Sequence, residues 1–200
     1  SRELEVVLQG YNKLNDVLME LCFLHQQQKG ASTQPHFRND DTFQEFITLQ
    51  DSFKYNLVNI IITNLSHLGS GDPLPSALKI QSILLALRST QGVLLLHPPS
   101  RDVFNIPANL QLILDLLVPQ EAGAESNPQI LLESLVVLIH ILVKNRNNFR
   151  NFEMLQGPKV IIDLLFMQKS DKQTAKKEEY INIKFKIIEF LIFYLVDEKK

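Results

Sequence analysis

The sequence predicts an all-α protein built as an armadillo/HEAT-like stack of helical repeats, an α-solenoid. Three observations carry this prediction. Apolar residues recur at steps of three and four along most of the chain, similar segments lie 48 residues apart, and residues typical of helix starts separate the periodic segments. Glycine occurs only seven times, whereas leucine and isoleucine are abundant, and this composition favours helices over sheets.

The first predicted helix covers residues 1–29. Its apolar stripe consists of side chains three and four positions apart: Leu4, Leu8, Tyr11, Leu14, Leu18 and Leu21. Gly30 follows the polar end of this stripe and is the residue type that commonly ends a helix. Residues 31–40 are polar, contain Pro35 and show no periodicity, so they are predicted to form a linker.

Helical repeats are predicted over residues 42–196, and they begin with a clear start signal. Thr42 and Glu45 have the spacing of a capping box, in which each side chain hydrogen-bonds the other residue's backbone N–H. An apolar stripe then continues to about Leu68, which predicts one continuous helix. Together with the first helix and the linker, the repeats are expected to form a single domain over residues 1–200.

The chain resembles itself after a shift of 48 residues. Asp115 then aligns with Asp163 within a matching apolar segment, and Phe104 aligns with Phe152 without a gap. This period is close to the roughly 40–47 residues of armadillo and HEAT repeats. Each repeat is predicted to hold a short, a medium and a long helix, over 101–106, 107–118 and 128–144 and again over 148–155, 158–167 and 178–196, with an earlier long helix over 76–96.

Composition argues against several classes of function. The net charge is -2 and the isoelectric point about 6.2, whereas nucleic-acid-binding proteins usually carry a basic surplus. Cys22 is the only cysteine, so a disulfide framework is excluded and a reducing compartment is expected. The most apolar run, Leu135–Val143, is far shorter than the roughly 20 residues of a membrane-spanning helix. We therefore expect neither nucleic-acid binding nor membrane insertion.

The sequence contains none of the common motifs for catalysis or metal binding. Its glycines form no phosphate-binding loop, and its histidines lack the spacing of a zinc site. A cysteine phosphatase needs an arginine six positions after its thiolate, but Gln28 stands there relative to Cys22. We expect no catalytic, cofactor-binding or metal-binding residues. An enzyme would need a site assembled from residues distant in the sequence.

The turn His97–Arg101 contains two consecutive prolines and has two interpretations. It could be a rigid recognition loop, or a structural turn between helices in which proline restricts the backbone and Ser100 caps the next helix. We favour the structural turn.

Four segments together resemble a known family. They are Gln50-Asp51-x-Phe53, Gln91-Gly92-Val93-Leu94-Leu95-Leu96-His97-Pro98-Pro99-Ser100-Arg101, Asn148-x-Arg150-x-Phe152-Glu153-x-x-x-Gly157, and Glu189-Phe190-Leu191-x-Phe193-Tyr194-Leu195. The chain is similar in them to the fungal cell division control protein fourteen family of the septation initiation network, which is not the phosphatase of the same name.

The resemblance implies a regulatory role without catalysis. Members of this family are expected to bind a germinal-centre-class Ser/Thr protein kinase as a heterodimer, and to control septum formation and cytokinesis. The implied location is the cytoplasm, and the spindle pole body during mitosis and septation. The alternative is a generic armadillo-type peptide-binding adaptor unrelated to a kinase.

Partner binding is predicted at the C-terminal helix. Its residues are apolar on nearly every side, and Phe193 or Tyr194 is expected to be the aromatic anchor of an interface. The second predicted surface is a groove of the long helices, at Arg88, His140 and Lys184.

Overall fold

The computed structural model describes residues 2–30, 41–70, 76–118, 127–166 and 177–196. Every regular element in these ranges is a helix, so the predicted all-α class is confirmed. The elements are α1 Arg2–Gly30, α2 Asp41–Asp51, α3 Leu57–Ser70, α4 Ser76–Leu96, a 3₁₀ helix Pro98–Asn105, α5 Pro107–Asp115, α6 Pro128–Leu142, α7 Arg146–Met154, α8 Gly157–Phe166 and α9 Lys177–Leu195. The predicted linker 31–40 lies outside the described residues.

The prediction of one continuous helix from Thr42 to about Leu68 is wrong. The chain leaves α2 at Asp51 and begins α3 at Leu57, because side chains satisfy the backbone groups at the new helix start. The Asn56 carbonyl oxygen Oδ1 accepts hydrogen bonds from the backbone N–H groups of Val58, at 3.0 Å, and of the next residue. Gln50 Oε1 accepts from the backbone N–H of Leu57 at 2.9 Å. Such capping favours a new helix over continuation of the old one.

Residues 1–103 form a first compact unit, in which α1 packs along α4. Two small residues on α4 allow α1 to approach closely. The Asn15 amide on α1 donates to Ser89 Oγ at 2.8 Å and to the Leu85 carbonyl at 3.2 Å. One turn further, Leu18 packs against Gly92 so closely that an added Cβ there would lie 3.2 Å from its side chain. α3 packs on α4 as well.

Residues 104–200 form a second compact unit, in which α6 packs against α9 and α7 packs against α5, α6 and α8. Three phenylalanines, Phe104, Phe152 and Phe190, are fully buried in it. Burial of each such side chain contributes roughly 1.5–3 kcal/mol to folding, so they are major stabilising residues of this unit.

The order of elements in the chain repeats with nearly the predicted spacing. The 3₁₀ helix and α7 begin 48 residues apart, at Pro98 and Arg146, and each is followed by a medium and a long helix. Phe104 and Phe152 are both fully buried, while Asp115 and Asp163 are both exposed. The armadillo-like stacking of these elements and the single domain over residues 1–200 stay predictions.

Candidate functional site

An aromatic cluster joins α7 and α9 in the second unit. We define it as Phe149 and Phe152 on α7 with Phe190, Phe193 and Tyr194 on α9. Residues three and four positions apart lie on one side of a helix, so the spacing within each helix turns these rings toward the other helix.

The cluster runs from the core of the unit to its surface. Phe152 and Phe190 are fully buried, with ring centroids 5.7 Å apart. Phe149, Phe193 and Tyr194 are half-buried, and the ring of Phe149 lies 6.0 Å from Phe193 and 5.8 Å from Tyr194. These distances lie in the range of favourable aromatic pairs, each contributing about 0.5–1.5 kcal/mol beyond its buried area.

Tyr194 carries the polar group of the cluster. Its hydroxyl donates to Glu153 Oε1 at 3.0 Å. Burial raises the pKa of the Tyr194 phenol, and the hydrogen bond to the Glu153 carboxylate and its negative charge raise it further. The hydrogen bond and the ring contacts restrict the half-buried Tyr194 side chain. A side chain fixed in advance loses little rotamer entropy on binding, which suits the half-buried part of the cluster to contact a partner's apolar side chain.

The remaining predicted partner-binding residues occupy different surroundings. Arg88 is exposed on α4 of the first unit. His140 is half-buried on α6, with its Nδ1 2.8 Å from the Val136 carbonyl, so Nδ1 carries the proton and donates. Lys184 is exposed on α9. Phe193 and Tyr194, by contrast, both contact Phe149.

The turn His97–Arg101 contributes to a buried polar network in the first unit. His97 is only 4% exposed, and Ser100 only 2%. His97 Nδ1 lies 2.8 Å from Ser100 Oγ, and its Nε2 lies 3.0 Å from Asp51 Oδ1. The Asn56 side-chain amide donates to Ser100 Oγ at 2.9 Å and to the backbone carbonyl of Gln50 at 2.6 Å. The network thus links the α2–α3 junction to the end of α4.

One assignment of protons satisfies every group of this network. Asn56 donates to Ser100 Oγ, the Ser100 hydroxyl donates to His97 Nδ1, and the His97 Nε2–H donates to the Asp51 carboxylate. Serine hydrolases use the same three residue types, but their nucleophile must be open to substrate. The Ser100 hydroxyl is buried and already accepts a hydrogen bond, so the network joins helices, as expected for a structural turn.

Sequence reasoning missed this network. Its members come from distant segments, so no local spacing reveals that Asp51 meets His97 or that Asn56 meets Ser100. A signal was present in Asn56, because asparagine is a preferred residue at a helix N-cap and stands before the apolar run of α3.

Cys22 has the surroundings of an unreactive thiol. It is half-buried on α1, and burial raises the pKa of the thiol, which opposes formation of the nucleophilic thiolate. In the described ranges, no three or more histidine, cysteine, aspartate or glutamate side chains are arranged to hold a metal ion. None of the described helices has the length and hydropathy of a membrane-spanning segment.

The first unit also presents an open pocket beside the α2–α3 turn. It has a volume of about 330 Å³, and it is lined by Phe53, Lys54, Asn59, Ile60, Thr63 and Asn64. Phe53, one of these lining residues, is 84% exposed. An exposed phenylalanine next to a shallow pocket offers a small apolar contact area to a peptide.

Comparison with known proteins agrees with the resemblance seen in the sequence. The family described as "Cell division control protein 14, SIN component" matches residues 5–200. The chain is similar to Cell division control protein 14 of Schizosaccharomyces pombe, with 29% identity over 160 residues, covering 76% of this chain and 60% of that protein. It therefore spans less than two thirds of that relative's length. No solved structure matches the chain.

Proposed function

Because the chain belongs to the cell division control protein 14 family of septation initiation network components, we propose that it is a non-catalytic scaffold subunit for a protein kinase of the germinal-centre class. Membership connects the chain with septation and cell division. In this proposal, the chain binds the kinase as a heterodimer and controls septum formation and cytokinesis. It acts in the cytoplasm, and at the spindle pole body during mitosis and septation.

The family match is the observation that carries this proposal, and the helical architecture supports it. Stacked helical repeats bury a continuous core and leave extended surfaces for partners. The proposed armadillo-like domain over residues 1–200 would offer such surfaces without any catalytic group. The burial of Ser100 and the raised pKa of Cys22 support the absence of catalysis.

The kinase contact is proposed at the half-buried edge of the aromatic cluster. Phe193 and Tyr194 are partly open to solvent and are supported from below by Phe190. Interface residues that dominate binding are often aromatic side chains supported in this way. Arg88, His140 and Lys184 are the next proposed contacts if neither aromatic side chain binds the kinase.

Titration of the kinase against alanine variants tests this contact. We expect Phe193→Ala and Tyr194→Ala each to weaken binding by about 2 kcal/mol or more, on the order of thirtyfold. Phe166→Ala is the matched control, because Phe166 is an exposed phenylalanine of the same unit outside the cluster. Circular dichroism verifies that each variant folds. If both variants fold and bind within about twofold of the parent, the kinase contacts another surface.

Truncations of the kinase distinguish the proposal from its alternative. The kinase's catalytic domain and its non-catalytic tail are each tested for co-purification with the full chain. A generic peptide-binding adaptor would bind neither, and the pocket beside Phe53 would then be the surface to examine. A fluorescent fusion expressed in dividing cells tests the spindle pole body location.

A further inference from the structure

Helix α9 has two apolar faces, and the second unit covers only one of them. The inner face contributes Ile183, Ile187 and Phe190 to the core. The opposite face is exposed from Ile181 to Leu195. We call it the outer seam and define it as Ile181, Phe185, Ile188, Ile192 and Leu195, whose exposed fractions are 43%, 67%, 46%, 60% and 74%. A contiguous apolar surface of this kind on a folded protein usually marks an interaction site.

The spacing of the outer seam is that of a coiled coil. Its residues follow one another at steps of four, three, four and three. In heptad terms, Phe185 and Ile192 are at a positions, while Ile181, Ile188 and Leu195 are at d positions. An apolar repeat of 3.5 residues keeps its side chains facing one straight partner helix. The geometry therefore specifies a helix as the occupant.

Charges beside the seam specify which helix. Lys184 precedes an a residue and is at a g position, and Glu189 follows a d residue and is at an e position. Both side chains are exposed. In a parallel pair, a g residue contacts the e residue five positions later on the other helix, so Lys184 would meet Glu189 of a second copy, twice by symmetry. In an antiparallel pair, g faces g and e faces e, and the two charges would not meet.

We propose that the outer seam is a self-association surface, through which α9 pairs in parallel with α9 of a second copy. Glu189 forms an intrahelical ion pair with Lys186, with Nζ and Oε2 2.7 Å apart, and its exposed carboxylate retains a second oxygen for Lys184. Phe193 and Tyr194 belong to the aromatic cluster and not to the seam. The apolar contacts of the pairing therefore share no residue with the proposed aromatic anchor of the kinase, and Lys184 is the one side chain named for both surfaces.

The first experiment measures mass against concentration for the full chain by sedimentation equilibrium. We expect a monomer–dimer equilibrium. Phe185→Lys and Ile192→Lys bring two lysines together at the seam, and each should weaken dimerisation by at least about tenfold, or about 1.4 kcal/mol. Phe166→Lys is the matched control, because it alters an equally exposed phenylalanine on α8 and should leave the equilibrium unchanged.

The second experiment tests the orientation through the charges. Lys184→Glu and Glu189→Lys each place like charges across the seam and should weaken dimerisation. The double variant restores opposite charges and should recover most of the parent affinity. Circular dichroism checks that the helical content of all three variants equals that of the parent.

The third experiment uses cysteines in a Cys22→Ser background, where no other thiol is present. In a parallel pair Ile181→Cys lies beside its own copy and should form a disulfide-linked dimer on mild oxidation. In an antiparallel pair, where each d residue faces an a residue, Ile181→Cys would not link to its own copy but would link to Ile192→Cys. Three results would overturn the proposal. They are disulfide formation in the antiparallel pattern, a monomer at every concentration, and a Phe166→Lys variant whose dimerisation is weakened as much as that of the seam variants. The monomer result would leave the seam to a helix of another protein.

Discussion

The ring of Phe152 occupies the space into which a Cβ on Gly157 would project. This contact joins the end of α7 to the first residue of α8, immediately after Gln156, whose φ is 59°. Any larger side chain at Gly157 must displace a fully buried phenylalanine. Overpacking of a well-packed core typically costs about 1–3 kcal/mol. We expect Gly157→Ala to lower the free energy of unfolding by this amount, measured by urea denaturation.

Gly10→Ala is the matched control for this prediction. Gly10 lies within α1, and an added Cβ there would have no heavy atom within 4 Å. Alanine is favoured over glycine in a helix interior by roughly 0.5–1 kcal/mol, so this variant should be more stable than the parent. Equal effects of the two substitutions would contradict the packing explanation for Gly157.

Ser100→Ala tests the buried polar network. The substitution leaves His97 Nδ1 and one N–H of the Asn56 amide without their partner in a buried site. Leaving such groups unsatisfied costs about 1–3 kcal/mol, and we expect this loss in urea denaturation. Thr48→Ala removes an exposed hydroxyl that bonds the Gln44 carbonyl, and it should change stability by less than about 0.5 kcal/mol. If the free energy of unfolding of Ser100→Ala equals that of the parent, the network does not stabilise the fold.

The phenol of Tyr194 predicts a loss of stability in alkali. Because its pKa in the folded protein is raised above the value of about 10 in an unfolded chain, the folded state holds this proton more tightly. The stabilisation that comes from the protonated Tyr194 phenol is fully present below pH 10, and it is lost as the pH rises through the folded-state pKa. Tyr194→Phe cannot ionise, so its stability should fall less steeply above pH 10. In Glu153→Gln, ultraviolet titration should detect a lower Tyr194 pKa than in the parent.

The thiol of Cys22 should react slowly in the folded protein. Burial raises its pKa, so the thiolate fraction near pH 8 is smaller than in an unfolded chain. Iodoacetamide should alkylate the native protein more slowly than protein in urea. Purified protein should show no phosphatase turnover, and Cys22→Ser should leave kinase binding unchanged. Turnover that disappears in Cys22→Ser would contradict both the pKa argument and the proposed non-catalytic function.

Several helix boundaries were predictable because their causes are local. α4 runs from Ser76 to Leu96 as predicted. α6 begins at Pro128, and the Asn127 side chain accepts from the backbone N–H groups of Gln129 and Ile130, as a helix cap does. In each case, residues within a few positions decide where the helix starts or ends.

The break between α2 and α3 was not predictable from periodicity. The apolar stripe continues through Phe53 and Leu57, so the pattern favours one helix. The chain turns here because the Asn56 side chain caps the start of α3. The same side chain also donates a hydrogen bond to Ser100, which lies 44 residues further along the chain. A contact between distant segments outweighs a local preference of a few tenths of a kcal/mol per residue.

The helical class, the recurrence of three helices near a 48-residue spacing and the family resemblance could all be read from the amino-acid sequence. These features follow from local periodicity and from the identity of short segments. Which face of each apolar helix is covered depends instead on the packing of the helices. α9 is apolar on most sides, yet Ile187 is fully buried and Phe185 is largely exposed, because α6, α7 and α8 cover one side of α9 and leave the other open. Burial depends on neighbours that come from elsewhere in the chain, and a helical pattern alone does not identify them.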